Sequence, residues 1–383
     1  MFGNWKRLLT VAMLGMGLAA CQVVPRGGEG PVTPPPPSDR PVEPGLPDDD
    51  ARHRVALLVP LSGPNGAVGQ SIANATTMAL LDTNAANLRI TTYDTATGAG
   101  SAAARALSDG NKLILGPLLG GDVAPVLARA RPADVPLISF SNDTSVAAND
   151  VFVMGVMPEQ SIVRTVDFAV AKGAARFAAI VPNGEYGRRA EAALRDRVAG
   201  RGGTLVATER YDRGNTSIVS AAERLSARGG FDTVLIADGA RLSAMAAGAL
   251  KDAGEALPRI LGTELWSGED EIARASALRG AWFSAVSDAR YRQFVSSYQS
   301  RFGEQPYRVA TLGYDAVLLA LRVARDWTPG RDFPTARLLD DGGFLGLDGP
   351  FRFRRGGIAE RSMEVRQVGN GTVTVVDPAP TRF

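Results

Sequence analysis

Short apolar runs alternate with amphipathic segments along most of the chain. Strands are predicted at 54–60, 88–93, 112–115, 136–140, 176–181, 204–209, 233–237 and 259–261, and helices from 68 to 79 and at 102–107, 123–130, 185–199, 218–227 and 242–253. Such alternation is typical of parallel sheets covered by helices on both faces. A break after residue 140 divides the pattern, so we expect an α/β fold with two doubly wound, Rossmann-like lobes.

The C-terminal part follows a different pattern. Apolar residues at helical spacing predict one helix from Tyr291 to Phe302 and another from Val309 to Val323. The stretches GLDGPFRFRRGG and EVRQVGNGTVTVV then predict antiparallel strands, and Asn370-Gly371 in the second is a hairpin signal.

The N-terminus has the organisation of an exported protein. Lys6 and Arg7 precede 13 apolar or small residues, Leu8 to Ala20, which are too few to span a bilayer. The next residue, Cys21, is the only cysteine of the 383 residues, and Leu18-Ala19-Ala20-Cys21 resembles the bacterial lipobox. We therefore predict a signal peptide at 1–20 and lipidation of Cys21. An ordinary signal with a cysteine near its cleavage site is the alternative.

The segment after Cys21 is predicted to be a tether, 21–54. It is rich in proline, and polyproline II rises roughly 3.1 Å per residue, so it reaches about 100 Å. A docking motif for a proline-reading domain is the alternative. Because Gln22 and not aspartate follows the cysteine, resemblance to the sorting rule of Gram-negative lipoproteins implies attachment to the outer membrane from the periplasmic side.

Composition and charge exclude several functions. Hydrophobic residues are 45% and charged residues 21%, which indicates a globular domain, and a net charge of +2 without basic blocks does not favour nucleic acid. The only histidine, His53, is assigned to the tether, so we expect no nucleophile–histidine catalysis and no transition-metal site. No Walker loop is present. We predict no catalytic residue, metal or cofactor, although a carboxylate-only hydrolase stays open.

Six stretches carry a family resemblance. They are VALLVPLSGPNGAVGQSIANAT, TTYDTATG followed by KLILGP, VPLISFSND, VPNGEYGRRA, GYDAVLLAL and GLDGPFRF. Together they resemble the type I periplasmic binding proteins, in the leucine-binding-protein branch. The resemblance implies two lobes joined by three crossovers, which we place near Gly155, Ala285 and Leu345. The first lobe is then 55–156 plus 285–344, and the second is 157–284 plus 345–383.

A ligand in such a fold binds beyond the carboxyl ends of the strands. The loops expected there contain glycine, serine and asparagine donors that suit a carboxylate, together with Glu264 for an ammonium group and Tyr186 or Trp266 for stacking. The candidates are Ser62, Asn65, Gly120, Ser139, Ser141, Asn142, Tyr186, Glu264 and Trp266. The alternative is that these loops are the turns that any doubly wound sheet needs.

One position departs from the family pattern. The resemblance implies a serine after the third strand, whose hydroxyl binds the α-carboxylate of an amino-acid ligand. In this chain that place falls on Gly120, between Leu119 and Gly121, so the loop has no hydroxyl. We expect amino-acid binding to be weakened.

Two functions therefore remain. One is a solute receptor of an ABC importer for amino acids or similar small ligands. The other follows from a resemblance to the C-terminal domain of penicillin-binding-protein activators, outer-membrane lipoproteins that stimulate a peptidoglycan synthase through the cell wall. Longer members of that family have an N-terminal helical-repeat domain, where this chain has the tether. The outer-membrane signal, the tether and Gly120 favour the second function.

Overall fold

The computed structural model of the protein describes residues 51–214, 216–252 and 258–381. The predicted signal peptide, Cys21 and nearly all of the predicted tether lie outside these residues. The described residues belong to one compact unit.

The first lobe is built on a parallel five-stranded sheet in the order β2-β1-β3-β4-β5. Alternate residues of β1 enter two different cores, since helices cover both faces of the sheet. Its elements are β1 (His53–Val59), α1 (Gly66–Asp82), β2 (Leu88–Asp94), α2 (Ala99–Ser108), β3 (Leu113–Leu115), α3 (Val123–Ala130), β4 (Leu137–Ser139) and β5 (Val151–Val153).

The second lobe contains a seven-stranded sheet in the order β15-β14-β10-β9-β8-β6-β7. Strands β6 to β10 run parallel, and β14 and β15 extend this sheet in antiparallel fashion. Its elements are α4 (Pro158–Ala171), β6 (Arg176–Pro182), α5 (Glu185–Gly200), β7 (Thr204–Tyr211), α6 (Ser217–Arg228), β8 (Thr233–Ile236), α7 (Ala240–Asp252), β9 (Arg259–Leu261), α8 (Glu271–Arg274), β10 (Trp282–Ala285), β14 (Glu364–Val368) and β15 (Val373–Asp377).

The chain returns to the first lobe after β10. Helices α9 (Tyr291–Phe302) and α10 (Thr311–Ala324) pack against α1. A small antiparallel sheet follows, made of β11 (Phe344–Gly346), β12 (Gly349–Phe353) and β13 (Ala359–Arg361).

The position of this small sheet corrects one predicted boundary. The family resemblance places the third crossover near Leu345 and predicts that residues 345–383 belong to the second lobe. Instead, Phe344, Phe351 and Phe353 are buried in the first-lobe core, and Ile358 bridges to Val153 of β5. Aromatic burial holds these strands on the first lobe, so the chain crosses over between β13 and β14.

Two other predictions need correction. His53 belongs to β1 and not to the tether; it is buried and its ring stacks on Trp327 at 4.2 Å between centroids, and burial lowers its pKa. The break in the alternation after residue 140 contains β5 and α4. A three-residue strand carries too short a pattern to be recognised, whereas Ile162, Val166 and Ala169 of α4 do have helical spacing.

The same close approach of a helix to a strand end occurs once in each lobe. Pro60 directly follows β1, and Pro182 is the last residue of β6. In each lobe the helix that follows places a glycine against the carbonyl of this proline. A Cβ at Gly69 would lie 1.7 Å from the oxygen of Pro60, and one at Gly187 would lie 1.8 Å from that of Pro182. Only glycine lets each helix approach the strand end this closely.

We expect Gly187→Ala to destabilise the protein by about 1–3 kcal/mol, because the added methyl group overlaps backbone atoms that cannot move independently. Urea unfolding of the purified protein, followed by circular dichroism, measures the change.

The matched control is Gly248→Ala in α7, where a Cβ would have nothing within 4 Å. There alanine should be neutral or stabilise by up to about 1 kcal/mol. Equal effects of the two substitutions would contradict the packing argument.

Candidate functional site

The loops after β3, β4, β9 and β10 line a cavity of about 510 Å³ between the lobes. The crossover residues Gly155 and Val286 form its floor. Its first-lobe wall is largely apolar, and Leu265 faces that wall from the second lobe; the apolar residues of the wall are Val68, Leu118, Leu119, Phe140, Val309 and Leu312.

One glycine sets the course of the loop that carries Leu118 and Leu119. Gly116 has φ +103°, and a Cβ there would lie 2.2 Å from the oxygen of Leu58 in β1. The chain therefore crosses the end of β1 at van der Waals distance, which no larger residue permits.

Two of the candidate residues line the cavity, Asn142 and Glu264. The hydroxyl groups of Ser139 and Ser141 do not face it. Ser139 donates to the oxygen of Pro117 at 3.0 Å, and the Oγ of Ser141 accepts from the N–H of Asp143 at 3.0 Å. Both serines are buried and hold the loop in shape.

Ser62 and Asn65 also lie outside the cavity wall. Ser62 is exposed, and its Oγ donates to Asp94 at 3.3 Å, next to the Leu61 N–H at 2.8 Å from the same carboxylate. These hydrogen bonds, first that from Leu61, hold the pKa of Asp94 below its ordinary value. Asn65 precedes α1 without a side-chain capping bond.

Gly120 is enclosed by acidic and polar side chains. A Cβ there would lie 3.0 Å from Oδ2 of Asp143 and 3.2 Å from Oγ of Ser141. The hydroxyl and N–H of Ser145 donate to Asp143, and chiefly the hydroxyl bond lowers its pKa, so Asp143 is ionised at neutral pH. A carboxylate is thus next to the position where the resemblance implies a hydroxyl donor.

Glu264 and Tyr186 meet at the second-lobe side of the cavity. The Tyr186 hydroxyl donates to Oε1 of Glu264 at 3.1 Å and lies 2.9 Å from the Thr263 hydroxyl. Oε2 of Glu264 has no partner among the described residues. Burial raises the pKa of Glu264 to about 7, and burial also raises that of Tyr186, which stays protonated.

Trp266 has a structural role instead of the predicted stacking role. It is 1% exposed, and its Nε1 donates to the oxygen of Asp238 at 2.9 Å. Its ring covers Gly262, where a Cβ would lie 2.4 Å from ring atoms. The ring of Tyr186 faces the guanidinium of Arg213 at 5.3 Å. Stacking on a cavity ligand therefore does not fit the position of Trp266.

Sequence reasoning missed the charged residues on the first-lobe side. Arg308, just before α10, donates to Asp348 at 2.8 Å, and its Nη2 lies 3.7 Å from Asp288. Burial opposes its charge, but Asp348 and Asp288 together raise the pKa of Arg308. Asp348 belongs to the GLDGPFRF stretch, one of the six that carry the family resemblance.

A polar contact joins the lobes beside the cavity. Arg189 of α5 forms a two-point ion pair with Glu159, at 2.6 and 2.8 Å, and also donates to the backbone oxygen of Asn142 at 2.7 Å. Asn142 belongs to the first lobe and Arg189 to the second.

Two buried arginines join the three crossovers. Arg361 donates twice to the oxygen of Met154 in the first crossover, at 2.7 and 3.3 Å. Arg366 donates to the oxygen of Val286 in the second crossover and is paired with Asp288 and Glu364. Arg361 ends β13 and Arg366 lies in β14, the two strands that the third crossover connects, so the segment around this crossover fixes the other two.

Two lobes, three crossovers and a cavity between facing strand ends define a binding protein of the hinged, two-lobed class. Residues 53–372 match the periplasmic binding protein family, and the chain belongs to that family. This membership implies a periplasmic location, and the fold is the type I periplasmic binding protein fold that the sequence predicted.

Solved structures support the same fold. A leucine-binding protein of Thermotoga maritima is 20% identical, with 85% of this chain and 98% of that chain covered and a TM-score of 0.64. A branched-chain amino-acid binding protein of Streptococcus pneumoniae, in complex with isoleucine, is 20% identical, with 85% and 100% covered and a TM-score of 0.64. An R. palustris solute-binding protein in complex with benzoate is 18% identical, with 86% and 97% covered and a TM-score of 0.65.

A sequence relative covers a smaller region. An uncharacterised protein of Rickettsia prowazekii is 25% identical over 174 residues, which are 45% of this chain and 47% of that protein. The chain thus matches about half the length of this relative. Among the described residues, no helix is long and apolar enough to cross a membrane, and no group of three or more His, Cys, Asp or Glu residues could hold a metal ion.

We expect Glu264→Gln to stabilise the protein at pH 8 and to have little effect at pH 5. The folded pKa of about 7 exceeds the ordinary value of 4.5. The contribution of this group to stability is therefore present below pH 4.5 and lost as the pH rises through 7. Glutamine resembles the protonated form at every pH and keeps an oxygen for Tyr186.

Thermal melting at the two pH values measures this effect, with Glu223→Gln on the exposed face of α6 as the control. Equal stabilisation by Glu264→Gln at pH 5 and pH 8 would show that its carboxyl group does not titrate in this range.

Proposed function

We propose that the protein is an outer-membrane lipoprotein whose leucine-binding-protein-type domain regulates a peptidoglycan synthase, as a penicillin-binding-protein activator does. It acts by binding this partner and not as an enzyme. The observation that carries the proposal is the carboxylate of Asp143 at Gly120, where an amino-acid receptor needs a hydroxyl donor.

This arrangement disfavours an α-carboxylate in two ways. The donor is missing, and a lost charge-assisted hydrogen bond is worth roughly 1.5–3 kcal/mol, or about 10- to 150-fold in affinity. The ionised Asp143 also repels the carboxylate of a ligand placed beside Gly120, because like charges disfavour each other at short range. Gly120→Ser alone would not restore the donor, because its side chain would meet Asp143 at about 3.0 Å.

The cations near the cavity do not compensate. Arg308, the one cation among the described residues that line it, is paired with Asp348 and lies near Asp288. Arg189 is paired with Glu159 and holds Asn142. These neighbouring carboxylates reduce the attraction of either guanidinium for a ligand carboxylate.

The contact from Arg189 to Asn142 supports a role as a scaffold. It joins the lobes through a hydrogen bond between protein groups, which favours one angle between them. In a hinged protein the angle between the lobes determines which outer surface a partner meets.

The N-terminal sequence supports the cellular setting. A lipidated Cys21, followed by Gln22 and a proline-rich tether of about 100 Å, suits a protein that stays attached to the outer membrane while it reaches across the wall. An importer receptor must instead reach the inner membrane.

We expect Cys21→Ser to abolish attachment to the outer membrane, because no thiol remains for a lipid. Fractionation of cells followed by high-salt washing of membranes measures this, with Ser38→Ala in the tether as the control. Retention of the Cys21→Ser protein in the washed outer membrane would contradict the lipobox prediction.

A solute receptor for an ABC importer is the second candidate. The cavity of about 510 Å³ with its apolar wall favours it, as does the unpaired Oε2 of Glu264, which could accept a hydrogen bond from an ammonium group. Two of the structural neighbours are complexes with isoleucine and benzoate, ligands that combine an apolar body with a carboxylate.

The two functions predict different outcomes of one experiment on the purified protein. In the first arm, immobilised protein is exposed to an envelope extract labelled with fluorescent penicillin. In the second arm, the melting temperature of the purified protein is measured in the presence of each common amino acid. We expect capture of a penicillin-binding protein and no melting shift. A receptor at a thousandfold excess of ligand over Kd would gain about 4 kcal/mol, which gives a clear shift.

The double variant Gly120→Ser with Asp143→Ala is the matched control for the melting arm. It supplies the hydroxyl and removes the carboxylate, so an amino acid that shifts only this variant supports the assigned role of the two positions. A shift of the wild-type protein without capture of a labelled synthase would favour the importer receptor.

A further inference from the structure

A second cavity lies in the second lobe, at the amino ends of β6, β8, β9 and β10 and thus away from the cleft. Its volume is about 410 Å³. Four cationic side chains line it with one carboxylate and one indole, namely Lys172, Lys251, Arg259, Arg279, Asp232 and Trp282.

None of the four cations has an ion-pair partner among the described residues. Arg259 donates to the oxygen of Gly280 at 2.8 Å, and its guanidinium lies 4.1 Å from the centroid of the Trp282 ring. The ammonium of Lys172 lies 5.4 Å over the ring of Phe168. Aromatic rings thus position two of the cations without neutralising them.

Among the described residues one carboxylate, that of Asp232, lines the wall, and its oxygens are hydrogen-bonded within the lobe. Oδ2 of Asp232 accepts from the N–H groups of Ala175 and Arg176, at 3.2 and 2.9 Å, and Oδ1 accepts from the hydroxyl of Thr233 at 2.7 Å. The cavity therefore keeps an excess of positive charge.

Helix ends account for only part of this charge. Lys172 follows α4 and Lys251 lies in the last turn of α7, where cations stabilise the helix dipole. Arg259 begins a strand, and Arg279 follows a single turn of 3-10 helix. No α-helix C-terminus explains the two arginines, which provide the forked donors that match phosphate oxygens.

The indole of Trp282 forms part of the cavity wall beside Arg259. It is 9% exposed, and its Nε1 has no hydrogen-bond partner among the described residues. A buried indole N–H normally has an acceptor. This N–H is itself buried, so the feature that points to a ligand is the unpaired charge of the four cations that line the cavity beside the ring.

We propose that this basic cavity binds a phosphate-bearing anion with at least two negative charges, through Arg259 and Arg279 with support from Lys172 and Lys251. The ligand is either a free phosphorylated small molecule or the phosphate headgroup of a lipid. Both ligands present phosphate oxygens to the arginines. The basic cavity lies apart from the cleft, so this proposal is independent of the function proposed for the cleft.

Calorimetric titration of the full chain with inorganic pyrophosphate tests the site. We expect saturable binding that weakens as salt is added, since exposed charges are screened. Arg259→Gln with Arg279→Gln should weaken binding by about tenfold or more, because two charge-assisted contacts are lost. Arg279→Glu is a second variant that leaves the Arg259–Trp282 stack intact and should weaken binding in the same direction.

The matched control is Arg241→Gln with Arg274→Gln, two exposed arginines of the same lobe outside the cavity.

Vesicles with and without phosphatidic acid then distinguish a lipid headgroup from a free small molecule. Stronger binding of wild type than of the double variant to phosphatidic acid indicates a lipid headgroup, and equal binding indicates a free small molecule. Absence of pyrophosphate binding at low salt, or an equal loss in the control variant, would overturn the proposal.

Discussion

The relation between the lobes depends on two buried arginines. Arg361 and Arg366 donate to the backbone carbonyls of Met154 and Val286, so the third crossover holds the first two. Removing either side chain would leave a backbone carbonyl without its donor, and removing Arg366 would also leave the buried Glu364 without its cation, which is costly. The cavity walls begin at these same crossovers, and the shape of the cleft therefore follows from this hydrogen bonding.

Burial also determines the charge properties of the cleft. Burial raises the pKa of Glu264 to about 7, although the hydrogen bond from Tyr186 favours its ionised form. Asp315, near the crossovers, has a pKa of about 7 because of burial and then the charge of Asp348. Arg308 stays charged between Asp348 and Asp288. Glu264, Arg308 and Asp348 line the cavity, so the family fold is combined with a cleft whose wall has charged groups.

Residue type indicated the site only in part. Glu264 and Asn142 reach the cavity, since loops after parallel strands must meet at the carboxyl edge. Ser139 and Ser141 lie in the expected loop, but their hydroxyl groups hold the backbone, and Trp266 is buried behind it. Whether a polar side chain faces a ligand or its own loop depends on rotamers and neighbours, which local sequence does not specify. Arg308 was missed because its partners Asp348 and Asp288 are distant in the chain.

The sequence by itself determined the alternation of strands and helices, the two parallel sheets and the glycines that let helices approach strand ends, because periodicity and backbone sterics act over a few residues. Only the tertiary structure decided that Phe344, Phe351 and Phe353 belong to the first lobe, that His53 begins β1, and that Arg259 and Arg279 meet in one cavity. These outcomes depend on which distant surfaces bury one another and which charges remain unpaired. Such long-range contacts leave no periodic signal in the chain.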